Sequence, residues 1–75
     1  MVVYEVDARR LLCPLPVIRL QQKIEQAIKG DHIHIIFTDP GGQHDIPAWC
    51  RVHGHKIVDS RLEEREFHMT IEVML

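Results

Sequence analysis

The C-terminal segment, residues 65–75, constrains the fold of this chain more than any other part of it. Every second side chain of the segment is apolar, and this apolar set consists of Phe67, Met69, Ile71, Val73 and Leu75. Side chains of a β-strand point alternately to its two faces, so the pattern predicts a strand with one buried face. The backbone groups of such a strand need partners, and the chain must therefore form a sheet.

Three further strands are predicted upstream. Histidine and apolar side chains alternate along residues 32–37, which predicts a second half-buried strand. Val2–Val6 is rich in β-branched residues and is the expected first strand. Lys56–Leu62 is the expected partner of the C-terminal strand, in a hairpin that turns about Glu63 and Glu64.

Two helices are predicted between these strands. The first begins at Cys13–Pro14, because proline is tolerated in the first turn of a helix, and it ends before Gly30. Its apolar face comprises Val17, Leu20, Ile24, Ala27 and Ile28. Asp45 is the expected N-cap of the second helix, with Pro47 in its first turn and Gly54 beyond its end. The inner face of the second helix comprises Ile46, Trp49, Cys50 and His53.

The order of these elements is βαβαββ in a chain of 75 residues. A chain this short buries only about 60% of its unfolded surface, so we expect a single domain over residues 1–75 without a deep substrate cavity. Two helices can cover one face of a mixed four-stranded sheet while the other face meets water. The predicted fold class is therefore α+β, a two-layer βαβαββ sandwich.

Composition excludes several classes of partner. The formal net charge is −2, and among the nine Lys and Arg residues only Arg9 and Arg10 are adjacent. Without a basic stripe we expect no direct contact with nucleic acid. The N-terminal residues lack the pattern of a signal peptide, and no segment approaches the roughly 18 apolar residues of a membrane span. We therefore expect a cytoplasmic protein without a membrane partner.

Cys13 is the strongest candidate for chemistry. If Pro14 is the first helical residue, Cys13 is the N-cap, where unpaired N–H groups and the positive end of the helix dipole favour a thiolate. Arg9 and Arg10 in the preceding loop add positive charge. The alternative is that Cys13 is a small, inert apolar residue before the helix.

The two prolines limit the hydrogen-bond donors available to this sulfur. Pro14 and Pro16 have no N–H, so Leu15 is the one residue of the first turn expected to donate directly to an N-cap sulfur. Thiol exchange needs no general base, because the thiolate is both nucleophile and leaving group. A chain without a pocket can therefore still transfer sulfur through Cys13.

The segment Asp7–Pro16, followed by Val17–Arg19, resembles the Cys-Pro-x-Pro signature of the TusA/SirA/YedF family of sulfur carrier proteins. The similarity spans essentially the whole chain, and its further marks are Gly30-Asp31, Asp39-Pro40, Asp45-Ile46-Pro47 and Gly54-His55. The resemblance implies a βαβαββ sandwich with a reactive cysteine at Cys13. It also implies a sulfurtransferase that uses no cofactor beyond a transient Cys13 persulfide.

The same resemblance implies two kinds of protein partner. A cysteine desulfurase or a rhodanese-like protein would supply the sulfur, and a further carrier would accept it. The end pathway stays open among tRNA thiolation, molybdenum-cofactor synthesis and sulfur oxidation. The runner-up hypothesis is a regulatory or adaptor module of the same fold that binds proteins and rarely or never uses Cys13.

One residue departs from the family pattern. Arg10 stands where the family usually has glycine, which suggests a backbone with positive φ that arginine adopts at a cost of roughly 1 kcal/mol. Three consequences stay open: a rearranged loop, a strengthened site for anionic sulfur, and an altered choice of partner.

The remaining polar candidates have simpler explanations beside the functional ones. Asp7 either orients the Cys13 loop or ends the first strand, and we favour the structural role. Arg19, on the outer side of the first helix, either contacts an acidic partner or is a solvated charge. Six histidines invite a zinc site, but no four-ligand set can be placed, so we expect no metal. A disulfide between Cys13 and Cys50 is conceivable as an oxidised by-product.

Overall fold

The predicted order of strands and helices is present in the computed structural model of this protein, which describes residues 1–75. The elements are β1 (Val3–Ala8), α1 (Leu15–Ile24), β2 (His32–Phe37), α2 (Gly42–His53), β3 (Lys56–Glu63) and β4 (Glu66–Glu72). β2 has the predicted bounds, and the other strands lie within a few residues of theirs. No helix is long and apolar enough to cross a membrane.

The four strands form one mixed sheet in the order β1-β2-β4-β3. β1 and β2 are parallel, while β4 runs antiparallel to both of its neighbours. α1 is the crossover between the two parallel strands and packs on both of them, and it also contacts α2. This arrangement confirms the predicted two-layer α+β sandwich.

The core lies between the sheet and the helices. Ile33, Ile35 and Phe37 are fully buried on β2, as the alternation predicts. The opposing strand contributes Met69 and Ile71, with Val73 just beyond it, and the buried residues of the helices include Leu20, Ile46 and Cys50. The prediction is wrong for Leu75, which lies beyond the end of β4 at Glu72 and is 81% exposed.

α1 ends sooner than the apolar pattern predicts. Its last residue is Ile24, and Ile28, predicted to lie on the buried face, is exposed. The buried carboxylate of Asp31 accepts the N–H groups of Ile28 and Val2, each at 3.1 Å. Both hydrogen bonds hold the pKa of Asp31 below its usual range, and the one from Ile28 has the larger effect. The side chain thus takes over a backbone donor that a longer helix would have used.

α2 begins earlier than predicted. Its first residue is Gly42 rather than one beside Asp45, so Pro47 lies inside the helix. The chain enters this helix through a tight turn in which the Gly42 N–H donates to the Asp39 carbonyl at 3.1 Å. Gly42 also packs on Phe37 so closely that an added Cβ would lie 2.8 Å from the ring. The predicted inner face holds for Ile46 and Cys50, but His53 is exposed.

The hairpin between β3 and β4 turns one residue later than predicted. Glu64 and Arg65 both have positive φ, 50° and 69°. Two consecutive residues in the left-handed region are typical of a tight hairpin turn that matches strand twist. The turn is remote in sequence from Cys13, and it joins the antiparallel strands β3 and β4.

Candidate functional site at Cys13

Cys13 lies in the loop between β1 and α1, one residue before the N-cap of the helix rather than at the N-cap as predicted. Pro14 is the N-cap, and the peptide bond that joins it to Cys13 is cis. The Leu15 N–H donates to the Leu12 carbonyl at 2.9 Å, so the expected bond to the cysteine sulfur is absent. Pro16 is buried at the start of the helix and anchors it. The prediction that α1 presents its own N-terminus to the sulfur is therefore wrong.

The sulfur instead lies beside the start of α2. A Cβ built on Gly41, the N-cap of that helix, would lie 2.9 Å from Cys13 Sγ. The Cys13 N–H donates to Asp39 Oδ2 at 3.0 Å, across 26 positions of sequence. The loop between β2 and α2 therefore holds both the backbone and the sulfur of Cys13, and glycine at position 41 leaves room for the sulfur.

Two carboxylates determine the electrostatics of the thiol. A hydrogen bond to Asp39, desolvation and then Asp45 raise the pKa of Cys13 to about 12. Hydrogen bonds from the thiol and from the backbone N–H of Cys13 in turn lower the pKa of Asp39. The predicted thiolate is wrong for the free protein, because the nearest charges are negative and the first-turn donor of α1 is already used.

The Arg9 side chain forms ion pairs with other residues and not with Cys13. Its guanidinium pairs with Asp7 at 2.9 Å and with Glu66 of β4 at 3.4 Å. Asp7 Oδ1 also accepts the Arg9 N–H at 3.1 Å. The hydrogen bonds from Arg9 lower the pKa of Asp7 to about 2. Asp7 therefore orients Arg9 at the end of β1, which agrees with the structural role favoured for it.

Arg10 and Arg19 line a shallow groove of about 550 Å³ beside the cysteine loop. The other lining residues are Asp7, Arg9, Leu11, Thr38 and Glu66, and Cys13 is not among them. Neither Arg10 nor Arg19 makes an ion pair through its side chain. The predicted site residues thus fall into two groups, the Cys13–Pro16 turn and an adjacent groove rich in arginine.

The comparisons with known proteins agree with this geometry. A family model described as "Sulfurtransferase TusA" matches residues 4–73, which is nearly the whole chain. The chain belongs to the TusA family. Sulfur carrier protein TusA of Allochromatium vinosum is 35% identical over 68 residues, covering 91% of this chain and 90% of the relative. The TusA of Pseudomonas syringae pv. syringae is 41% identical over 63 residues, covering 84% and 75%.

A solved structure agrees on the fold of this TusA family member. The crystal structure of a SirA-like protein from Desulfitobacterium hafniense superposes with a TM-score of 0.84, covering 99% of this chain and 100% of that chain. The two sequences are only 16% identical, so this likeness concerns the fold alone. It nonetheless places the same βαβαββ sandwich in a second protein.

Arg10 keeps the backbone conformation that the family's glycine suggests. Its φ is 67°, and its N–H donates to Thr38 Oγ1 at 2.8 Å. A left-handed arginine is disfavoured by roughly 1 kcal/mol, and this hydrogen bond helps to hold the loop there. Of the three open consequences, the rearranged loop is contradicted, because the backbone at Arg10 has positive φ.

Sequence reasoning missed Asp39, Asp45 and Gly41 as parts of the site of this TusA family member. The missed signal was the parallel pairing of β1 and β2, which sets Ala8 beside Phe37 at the ends of the two strands. Loops that follow neighbouring parallel strands meet at the same edge of a sheet. The Asp39-Pro40 and Asp45 marks, quoted only for their resemblance to the family, belong to that edge.

Cys50 is separated from this site. It is buried in α2, nine positions beyond Gly41, which is roughly 13 Å along a helix. Both cysteines are free thiols, and the disulfide considered above is absent from the structure. Desolvation raises the pKa of Cys50 to about 11. The expectation that Cys50 is part of the core is confirmed.

The histidines form aromatic contacts. His34 stacks on His68 on the open sheet face with ring centroids 5.2 Å apart, while Trp49 lies against His53 and His55 at 4.4 and 5.8 Å. The structure contains no group of three or more His, Cys, Asp or Glu side chains that could hold a metal ion.

Proposed function

We propose that this protein is a sulfur carrier of the cytoplasm that holds sulfane sulfur as a persulfide on Cys13 and relays it to a partner protein. The observation that carries the proposal is the position of Cys13 Sγ. It is partly exposed, it lies on the loop that bears the Cys-Pro-x-Pro signature, and Gly41 leaves space beside it. The relatives named sulfur carrier protein TusA support the same reading.

The proposed exchange balances without an oxidant or a cofactor. Cys13 Sγ bonds to the outer sulfur of a donor persulfide, the donor's S–S bond breaks, and the thiol proton passes to the donor's cysteine. The reverse sequence discharges Cys13 to an acceptor thiol. No enclosed cavity is needed, because both substrates are protein-bound sulfur atoms.

The surface around Cys13 suits a protein partner. Leu12, Leu15 and Ile18 are apolar and exposed next to the cysteine. Apolar side chains at the centre of an interface favour association when a partner covers them. A cysteine desulfurase or a rhodanese-like protein is the proposed donor class, and a further thiol carrier is the proposed acceptor class.

Mass spectrometry of loading and discharge tests this proposal. Wild type and Cys13→Ser are incubated with a cysteine desulfurase and cysteine, and their intact masses are recorded before and after adding dithiothreitol. We expect wild type to gain one sulfur atom that reductant removes, and Cys13→Ser to gain none. Equal gain in both proteins, or none in wild type with an active desulfurase, would contradict the proposal.

One observation favours the second candidate function, a binding module that does not use its thiol. A hydrogen bond to Asp39, desolvation and Asp45 raise the pKa of Cys13 to about 12, and a protonated thiol is a weak nucleophile. An adaptor predicts that Cys13→Ser retains partner binding and the cellular phenotype. A carrier predicts that the same variant retains binding but loses sulfur transfer.

A further inference from the structure

We infer that Asp39 determines which sulfur donors Cys13 accepts, by restraining the thiol until a donor protein presents a positive charge to this carboxylate. The inference rests on the proposed function and adds a specificity-determining residue to it. The small, uncharged or anionic sulfur compounds of the cell would then load the carrier poorly. A docked protein donor with a guanidinium or ammonium group beside its persulfide would load it well.

The position of the Asp39 carboxylate is fixed by the backbone around it. Oδ2 accepts the Cys13 N–H at 3.0 Å, across 26 positions of sequence. A Cβ on Gly41 would lie 2.9 Å from Cys13 Sγ and 3.2 Å from Asp39 Oδ2. The sulfur and the carboxylate oxygen therefore converge on one point at the start of α2.

No cation of the chain balances these charges at the thiol. The charged groups that face it are Asp39, from the loop after β2, and Asp45, from α2. Arg9 is engaged with Asp7 and Glu66. A thiolate formed in the free carrier would face two carboxylates, which explains the raised pKa of Cys13.

A donor's positive charge would reverse this balance. An opposite charge within about 4–6 Å of a carboxylate pairs with it and favours the anionic form of a neighbouring acid. Cys13 then loses its proton to the leaving cysteine of the donor as its sulfur bonds to the outer sulfur. The new persulfide sulfur extends about 2 Å from Sγ, so the negative charge on a loaded carrier moves to an atom beyond the thiol position.

Alkylation of the free carrier tests the restraint directly. The rate of modification of Cys13 by iodoacetamide is measured between pH 7 and pH 11 by peptide mass spectrometry. For Asp39→Asn, which retains a side-chain oxygen for the Cys13 N–H, we expect the rate at pH 8 to rise roughly tenfold and the profile to shift to lower pH. The estimate combines a larger thiolate fraction with the lower nucleophilicity of a more acidic thiol.

Two further variants separate charge from shape. Asp39→Glu retains a carboxylate and should stay close to the wild-type rate, whereas Asp59→Asn, in the remote β3 strand, should leave the rate unchanged. An unchanged profile for Asp39→Asn would overturn the inference. An equally fast Asp39→Glu variant would also overturn it, because damage to the loop would then explain the acceleration.

Sulfur loading tests the specificity. Wild type and Asp39→Asn are loaded from inorganic polysulfide and, separately, from a cysteine desulfurase with cysteine. We expect Asp39→Asn to load faster from polysulfide, so that the ratio of the desulfurase rate to the polysulfide rate falls at least tenfold. An unchanged ratio would overturn the inference. If wild type accepts sulfur from neither source, the proposed function fails, and the alkylation profile still decides whether Asp39 restrains the thiol.

Discussion

Cys13 and Cys50 are thiols of one chain whose pKa values both lie well above the ordinary one, but the causes differ. At Cys13 a hydrogen bond to Asp39 raises the pKa most, followed by desolvation and Asp45, whereas desolvation alone raises the pKa of Cys50. A partner can neutralise a neighbouring carboxylate, whereas only unfolding can return water to a core residue. The comparison teaches that a raised pKa has two meanings. At Cys50 it marks an inert core residue, whereas at Cys13 it marks a thiol whose pKa a partner could lower.

Unfolding should abolish the difference in reactivity between Cys13 and Cys50, and this is the largest effect that we expect. In native protein at pH 8.5, iodoacetamide should modify Cys13 slowly and leave Cys50 essentially unmodified. In concentrated urea both thiols should titrate near the free value of about 8.5 and react at similar rates. We expect Cys50 to accelerate more than a hundredfold, as measured by peptide mass spectrometry over time. Native modification of Cys50 as fast as that of Cys13 would contradict the assignment of Cys50 to the core.

Substitution of Gly41 should disturb Cys13 and the Asp39 carboxylate beside it. Gly41 has φ of −59°, so Gly41→Ala meets no backbone strain, but its Cβ would lie 2.9 Å from Cys13 Sγ. We expect the thiol to be displaced and sulfur loading from a desulfurase to fall at least roughly tenfold, since a 1 Å misplacement of a reacting group can cost about a hundredfold in rate. Gly30→Ala is the matched control: its φ of 95° makes it costly by about 1 kcal/mol, but no heavy atom lies near its Cβ. Gly41→Ala loading at the wild-type rate would show that the sulfur does not depend on this close approach.

Truncation of Cys50 should affect stability but not chemistry. Cys50→Ala removes a fully buried sulfur from the core and should lower the free energy of unfolding by about 1–2 kcal/mol, measured by urea denaturation. Sulfur loading of the folded variant should match wild type. A variant that folds but cannot be loaded would assign Cys50 a role in transfer and break the comparison.

Replacing an arginine that has positive φ with glycine should produce the smallest effect. Arg10→Gly permits φ of 67° without a Cβ, so we expect the free energy of unfolding to rise by up to about 1 kcal/mol. Arg65→Gly, at φ of 69° in the β3–β4 hairpin, is the matched control and should behave similarly. Neither variant should move the alkylation profile of Cys13. A shift with Arg10→Gly alone would show that the Arg10 guanidinium acts on the sulfur.

The sequence was sufficient where local pattern and burial agree. β2 could be bounded correctly because the twofold alternation of its side chains coincides with one fully buried face. The fold class followed from the number and the chain order of the predicted strands and helices in a short chain. The end of α1 could not be predicted, because it depends on Asp31 accepting the N–H groups of Ile28, nearby in sequence, and of Val2, far from it in sequence.

The sequence identified Cys13 as the candidate reactive residue, but it did not reveal the chemical environment of the thiol. Cys13 stands out by its place in the Cys-Pro-x-Pro turn, whereas its thiol chemistry depends on a carboxylate 26 positions away. Only the pairing of β1 with β2 brings that loop to the cysteine. Reasoning from the local helix start gave a lowered pKa, and the tertiary contact reverses its sign.

The location of added sulfur tests the central claim most directly. Wild-type protein is loaded with a cysteine desulfurase and cysteine, its persulfide is trapped with excess iodoacetamide, and the peptides that contain Cys13 and Cys50 are compared by tandem mass spectrometry. We expect the additional sulfur atom on Cys13 and none on Cys50. Additional sulfur on Cys50, or on neither cysteine while the desulfurase is active, would contradict the account.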